Sequence, residues 1–404
     1  MNNLLEVVLA SDDSGQCNTS VWDPNTCTMV MTYKGGNVAS PHTLSLINNE
    51  YVIAADRTKP LLNVWPINSQ EPVPNLRMIC PGRVGALDVT PDGIYLAAGI
   101  EDKLHIWHLN TGKLFNVISR HYQPIVCIKF TDDGSFVITA GQDGVILVWN
   151  FAYLIQIVGA ERTQEPLYSF SDHTLPVSDI YVGRGGLNTQ LISVSKDRTC
   201  RIYDLARGVL LNSVIFKNGL SCVTMDYLEQ SVYVGDCTGK IYQFFLCSAP
   251  NVIEGDSDMS FTGHEGTVSC LSVSADGQTL MSGAFDNKVM FWHIPSRKMI
   301  RTITLKGAVT NAFYAPSPAN MFQNDFRPQP IAPLSKIITS SDESPFIIEV
   351  LNTDRSMFNS EELLSIQAPD SGAKSYQDKK EIKRLEEINK ELYQAAVKIV
   401  LKQH

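Results

Sequence analysis

The spacing of tryptophans constrains this chain more than any other feature. Trp22, Trp65, Trp107 and Trp149 lie 43, 42 and 42 residues apart, and the fifth, Trp292, ends a run of the same kind. Each closes a short alternating or apolar stretch, in SVWD, NVWPI, HIWHL, LVWNF and MFWHI. Tyr203 in RIYDL, Phe244 in YQFFL and Ile348 in FIIEV occupy the later equivalent slots. A period of about 40–45 residues holding several strands is the spacing of propeller blades, small sheets that bury their faces only by stacking on neighbours.

The interior of each period agrees. DVTPDGIYLAAGIEDKLHIW, KFTDDGSFVITAGQDGVILVW and SVSADGQTLMSGAFDNKVMFW each read as strand, Asp-Gly turn, strand, tight turn, strand. Asp92-Gly93, Asp133-Gly134 and Asp276-Gly277 suit the positive φ angles that hairpin turns demand. The expected class is all-β and antiparallel.

A finer pattern lies within three periods. His121, Thr139, Asp143 and Trp149 are separated by 18, 4 and 6 residues, and His264, Ser282, Asp286 and Trp292 repeat those separations. His173, Ser193, Asp197 and Tyr203 repeat them with two more residues around Gly185-Gly186. The residue types match a Ser/His/Asp catalytic set, but a nucleophile need occur once, whereas this set recurs with the period. It reads instead as a buried hydrogen-bond network, in which every polar group must find a partner. On these residues the chain resembles the WD40 family, which implies a WD40 β-propeller.

Seven blades are expected, with an eighth, degenerate one left open. The first period has only three strands, EVVLAS, TSVWD and MVMTY, and AVTNAFYAP near residue 310 is placed to supply the missing innermost one. KIITSSDE and FIIEVL remain as extra strands on the closing blade or as part of an eighth. Residues 151–168 begin as an apolar stretch suited to a short helix, and residues 315–335 hold five prolines and are expected to be extended. Residues 184–190 are a longer turn. Long loops on a rigid ring are where partner contacts concentrate, and a solvated loop is the bland reading of each.

The period changes near the C-terminus. The propeller is assigned to 1–355, a linker to 356–375 and a helix to 376–404. Ile382, Leu385, Asn389, Leu392, Ala396 and Ile399 follow spacings of 3, 4, 3, 4 and 3, the seam of a coiled coil. Asn389 at an inner position favours a parallel pair, and homodimerisation is the expectation. A helix packed on its own propeller or on another protein fits the same pattern.

Composition limits the function. With 44% hydrophobic residues over 404 positions, the chain can bury a large core, and its net charge of −9 offers no general attraction to nucleic acid or an anionic membrane. Nine cysteines without a Cys-x-x-Cys pair read as reduced core thiols. No signal segment or membrane span is evident. His42 and His404 stand alone, and neither a His-x-x-x-His pair nor a P-loop or G-x-S-x-G pattern occurs. No cofactor, metal or catalytic residue is therefore expected, and the chain is read as a non-enzyme.

A narrower resemblance is carried by MICPGRVGALDVTPDGIYLAAG at 78–99, SRHYQPIVCIKFT at 119–131, GHEGTVSCLSVSADGQTLMSG at 263–283, LKGAVTNA at 305–312, DFRP at 325–328 and INKELY in the tail. These strings resemble the family of WD-repeat subunits of the rixosome. The resemblance implies a scaffold in large-subunit (pre-60S) ribosome biogenesis and spacer rRNA processing. It also implies a large helical-repeat partner with other rixosome subunits, indirect engagement of the midasin ATPase, and residence in nucleolus and nucleoplasm, with the cytoplasm left open. Direct RNA contact is left open as well. The competing reading is a WD-repeat adaptor of a ubiquitin ligase or signalling complex.

Overall fold

The computed structural model describes residues 5–15, 19–74, 76–155, 165–248, 252–253, 260–318, 320–323 and 326–337. These residues form seven sheets of four antiparallel strands, in chain order in six of them, and one sheet carries a fifth, parallel strand. Blade 2 runs Ser45–Ile47, Tyr51–Ala55, Leu61–Pro66, Met78–Ile79, and blade 3 runs Val84–Val89, Tyr95–Ile100, Lys103–His108, Leu114–Ser119. Blade 4 is Ile125–Phe130, Phe136–Gly141, Ile146–Asn150, Tyr168–Phe170, and blade 5 is Val177–Val182, Gln190–Ser195, Thr199–Asp204, Val209–Phe216. Blades 6 and 7 start at Leu220–Met225 and Val268–Val273, and end at Ser260–Thr262 and Lys298–Thr304.

Blade 1 is built from both parts of the chain. Val309–Pro316 pairs antiparallel with Glu6–Asp12 from Val309↔Asp12 to Pro316↔Glu6, and Thr19–Trp22 and Met29–Tyr33 complete the sheet. The expected innermost strand thus comes from the AVTNAFYAP segment, and the ring closes at seven. Closure gives every blade a neighbour on both faces, and each innermost strand keeps one short edge turned to the channel.

The burial of each strand follows its place in the ring. Second strands such as Tyr51–Ala55 and Phe136–Gly141 are buried at every position, because both faces of the sheet stack on neighbouring blades. Lys298–Thr304, an outermost strand, is exposed at all but one position. The four tryptophans at 65, 107, 149 and 292 are among the largest fully buried side chains.

The innermost strands share a further device. In blades 3 to 7 the pairing of first and second strands slips by one residue, at Gly85, Val126, Ser178, Ser221 and Ser269. Such a bulge bends and twists the strand that carries it. The residues that follow, among them Cys127, Asp179 and Cys222, reach the next blade: the Cys127 thiol donates to Asp179 Oδ1 at 3.5 Å, Val223 N–H donates to Asp179 Oδ2 at 3.1 Å, and the Cys222 thiol donates to the Val268 carbonyl at 3.5 Å.

The insertion at 151–168 opens as the expected short helix, Phe151–Ile155, which buries Phe151 and Leu154. The proline-rich segment is extended as expected, and the structure adds where it goes. After Pro316 it crosses blade 2, where Asn68 Nδ2 donates to the Gln323 carbonyl at 2.9 Å and Gln329 N–H donates to Glu50 at 2.8 Å. It then reaches blade 3, where Ala332 N–H donates to Leu109 and Ser335 N–H to Gly112, at 3.1 and 2.7 Å. Met321 and Leu334 are buried against those blades. The described part is a strap on its own ring rather than a solvated loop.

Several expectations fall outside the described residues: the strands of KIITSSDE and FIIEVL with Ile348, the 1–355 boundary, the 356–375 linker, and the seam Ile382, Leu385, Asn389, Leu392, Ala396 and Ile399. Among the described residues no helix is long and apolar enough to cross a membrane. The eight described cysteines are free thiols, and two of them, Cys237 and Cys247, are exposed rather than in the core.

Candidate functional site

The polar sets of blades 4 and 7 close as continuous chains, and that of blade 5 does so up to its slot residue. In blade 4, His121 Nδ1 lies 3.0 Å from Asp143 Oδ2 and its Nε2 lies 2.9 Å from Thr139 Oγ1, while the Trp149 indole donates to the same Oγ1 at 3.2 Å. Blade 7 repeats this: His264 to Asp286 at 2.9 Å, His264 to Ser282 at 2.7 Å, and Trp292 to Ser282 at 2.8 Å. In blade 5 His173 joins Asp197 at 2.9 Å and Ser193 at 2.7 Å, but the slot residue departs, since the Tyr203 hydroxyl donates to Asp172 at 3.2 Å.

One proton arrangement satisfies all of these bonds. A neutral imidazole donates from Nδ1 to the carboxylate and accepts at Nε2 from the hydroxyl, which in turn accepts from the indole N–H. Burial favours that neutral form, lowering the His121 pKa against the pull of Asp143. For Asp286, burial raises the pKa, and the bonds from His264 and from the backbone of Lys288 and Glu265 outweigh it, leaving the carboxyl below its usual range. The arrangement is unsuited to nucleophilic catalysis: Thr139, Ser193 and Ser282 are 0% exposed, and their oxygens are already engaged.

Anchoring on histidine concealed a wider regularity. Every blade places one aspartate at the turn between its second and third strands: Asp12, Asp56, Asp102, Asp143, Asp197, Asp236 and Asp286. In blades 2 and 6 an asparagine replaces the histidine, Asn37 donating to Asp56 and Asn218 to Asp236, the latter at 2.9 Å. These carboxylates also accept the turn's own N–H groups, from Thr58 and Lys59 in one blade and Thr238 and Lys240 in the other. Tryptophans outside the three sets bond elsewhere: Trp65 to the Lys34 carbonyl at 2.7 Å, Trp22 to Ser20 at 2.7 Å, and Trp107 to the strap at Ser335, at 2.8 Å.

The clasps shape one face of the ring. Asp143, Asp197 and Asp286 also accept backbone N–H groups of Tyr122, Thr174 and Glu265, so each carboxylate fixes the entry loop of its own blade. That face carries exposed apolar side chains on rigid backbone: Tyr122 at 91%, Phe285 at 55% and Leu175 at 49% exposure. Large exposed side chains held by rigid loops are suited to binding another protein.

The axial channel mixes apolar and charged side chains. It opens into a cavity of about 300 Å³ whose lining includes His42, Asp88, Lys129, Asp179, Tyr181 and Asn311. Burial opposes the Lys129 ammonium, but Asp88 and then Cys127 and Asp179 outweigh it, so the group is held charged. Burial likewise raises Asp88 and lowers His42. Of these residues only His42 was noted from sequence, as a histidine standing alone, because the turns of the ring bring together positions far apart in the chain.

The profile of the WD domain, G-beta repeat, matches residues 112–150, 164–204 and 255–293, the stretches that carry the three histidine clasps. The chain is a WD-repeat β-propeller. It is 33% identical to WD repeat-containing protein 18 of Danio rerio, with all of both chains covered, and 37% identical to that of Mus musculus over 80% of this chain and 76% of the relative. The chain belongs to the WD repeat-containing protein 18 family. Pre-rRNA-processing protein pro-1 of Caenorhabditis elegans is 27% identical over 92% of this chain and 73% of the relative.

Proposed function

We propose that this chain acts in rRNA processing as a non-enzymatic scaffold subunit of a rixosome-type complex, working on pre-60S particles in the nucleolus and nucleoplasm. The observation that carries this reading is the end-to-end similarity to WD repeat-containing protein 18, joined by a more distant relative named for pre-rRNA processing. The clasps support it, since their hydroxyls, imidazoles and carboxylates are used in holding loops. The clasped face offers Tyr122, Leu175 and Phe285 to a protein partner, for which a large helical-repeat subunit is the proposal, with the midasin ATPase engaged indirectly. With a net charge of −9, the chain reaches RNA through such partners. The seam from Ile382 to Ile399 pairs two copies and raises the local concentration of whatever the ring holds.

Capture of tagged full-length protein, and of a version ending at residue 375, from nuclear extract tests these statements together. Pre-60S factors and spacer precursors should accompany both versions, and untagged self copies only the full-length one. Cullin-type ligase or signalling components in their place would overturn the rRNA-processing role. Self copies captured by the shortened version would remove the tail as the dimer contact.

A further inference from the structure

Three side chains meet at the channel, two of them at the equivalent post-bulge position of neighbouring innermost strands and the third from a loop of another blade. His42 lies in the loop before Ser45–Ile47, Cys127 in Ile125–Phe130 and Asp179 in Val177–Val182, in blades 2, 4 and 5. One ligating atom from each lies within 4.8 Å of the other two. Asp179 Oδ1 stands 3.6 Å from His42 Nδ1 and 3.5 Å from Cys127 Sγ. With zinc–sulfur bonds near 2.3 Å and zinc–nitrogen and zinc–oxygen bonds near 2.0–2.1 Å, the edges of a zinc tetrahedron come to about 3.3–3.5 Å. Two of the three edges are therefore close to coordination length.

The surroundings fit a metal better than a closed hydrogen-bonded trio. The Asp179 carboxylate is held by Ile180 N–H on Oδ1 at 2.8 Å and by Val223 N–H on Oδ2 at 3.1 Å, the kind of support that orients a ligand. The His42 to Asp179 separation is too long for a hydrogen bond. His42 also holds a φ of 54°, a left-handed backbone that a non-glycine residue adopts at a cost. Asp88 and Asp179 carry two negative charges against the one ammonium of Lys129, so a dication bound by a thiolate brings the group to neutrality.

We propose that His42, Cys127 and Asp179 form a zinc site across the axial channel, with a channel water as fourth ligand. The metal bonds to the imidazole Nδ1, to Asp179 Oδ1 and to the Cys127 sulfur, whose S–H proton passes to solvent, so one proton is released for each zinc bound. The site ties blade 2 to blades 4 and 5 and braces the ring from within.

Full-length protein stripped with a chelator should take up one equivalent of zinc and melt at a higher temperature when loaded. Cobalt(II) in its place should show a thiolate-to-metal charge-transfer absorption. His42→Ala, a change at a partly exposed loop residue that leaves the core intact, should weaken zinc binding at least tenfold, and Cys127→Ser should abolish the cobalt band. Cys237→Ser, at an exposed thiol, should change neither. The site is refuted if folded protein takes up no zinc at equimolar metal, if bound cobalt lacks the thiolate band, or if His42→Ala binds zinc like the parent.

Discussion

At the scale of single residues, the turn aspartate is the unit that the ring repeats. Asp286 accepts from His264, Glu265 N–H and Lys288 N–H, so its removal leaves the buried His264 imidazole and two N–H groups of the loops without their acceptor. Asp286→Ala should cost about 1–3 kcal/mol in denaturant unfolding, and an unchanged midpoint would refute the role given to this clasp. Three of the clasps were legible in the sequence because histidine is rare and its spacing to Ser/Thr, Asp and the aromatic slot is regular. Asn37 and Asn218 were not, since the carboxylate asks only for a donor and a side-chain amide serves as well as an imidazole. Seven turn aspartates were there to be found, in strings such as AADRTKP, GIEDKL and VGDCTGK, but their spacing varies with loop length.

At the scale of elements, the strap from 317 to 337 shows what composition alone conveys. Its four prolines told that the segment is extended, and nothing in them told which surface it follows. The clue lay elsewhere, in Trp107, a slot tryptophan without a histidine set, whose indole the strap satisfies at Ser335. Gly112 makes the docking testable. Its φ is +66°, and a Cβ there would stand 2.0 Å from the Pro333 carbonyl oxygen, whereas Gly277 has the same φ of +66° and open space around it. Both alanine variants carry the backbone cost of a left-handed residue, about 1 kcal/mol. Gly112→Ala should cost at least about 1 kcal/mol more than Gly277→Ala and should open 326–337 to protease. Equal losses and equal proteolysis would mean that the strap contributes nothing to the ring.

At the scale of the whole molecule, the blade count was legible because the period is written in tryptophans and the missing first strand had one candidate. The channel was not, since its lining comes from seven places in the chain. Protonation reports on the assembled ring as a unit, and the sign follows from which state binds protons more readily. His105, His108 and His121 are lowered by burial, so below about pH 6.5 the unfolded chain takes up protons that the folded one resists, and stability falls. Asp56, Asp197 and Asp286 are depressed by their donors, although burial works against them, and they add a second loss below about pH 4. Glu6 and Asp88, raised by burial, have the opposite sign and soften the decline between those limits. On the alkaline side Cys80, Cys200, Cys222 and Cys270 are raised by burial. Above about pH 8.5 their unfolded counterparts ionise first and stability falls again. Each proton by which the two states differ changes stability by about 1.4 kcal/mol per pH unit. Melting temperature measured in reducing buffer should therefore hold a plateau between about pH 6.5 and 8.5 and fall on both sides. A ring equally stable at pH 5 and pH 7 would show that burial does not hold these imidazoles neutral, His121 of the blade 4 clasp among them, and no loss up to pH 10 would show that the thiols are not sealed between the blades.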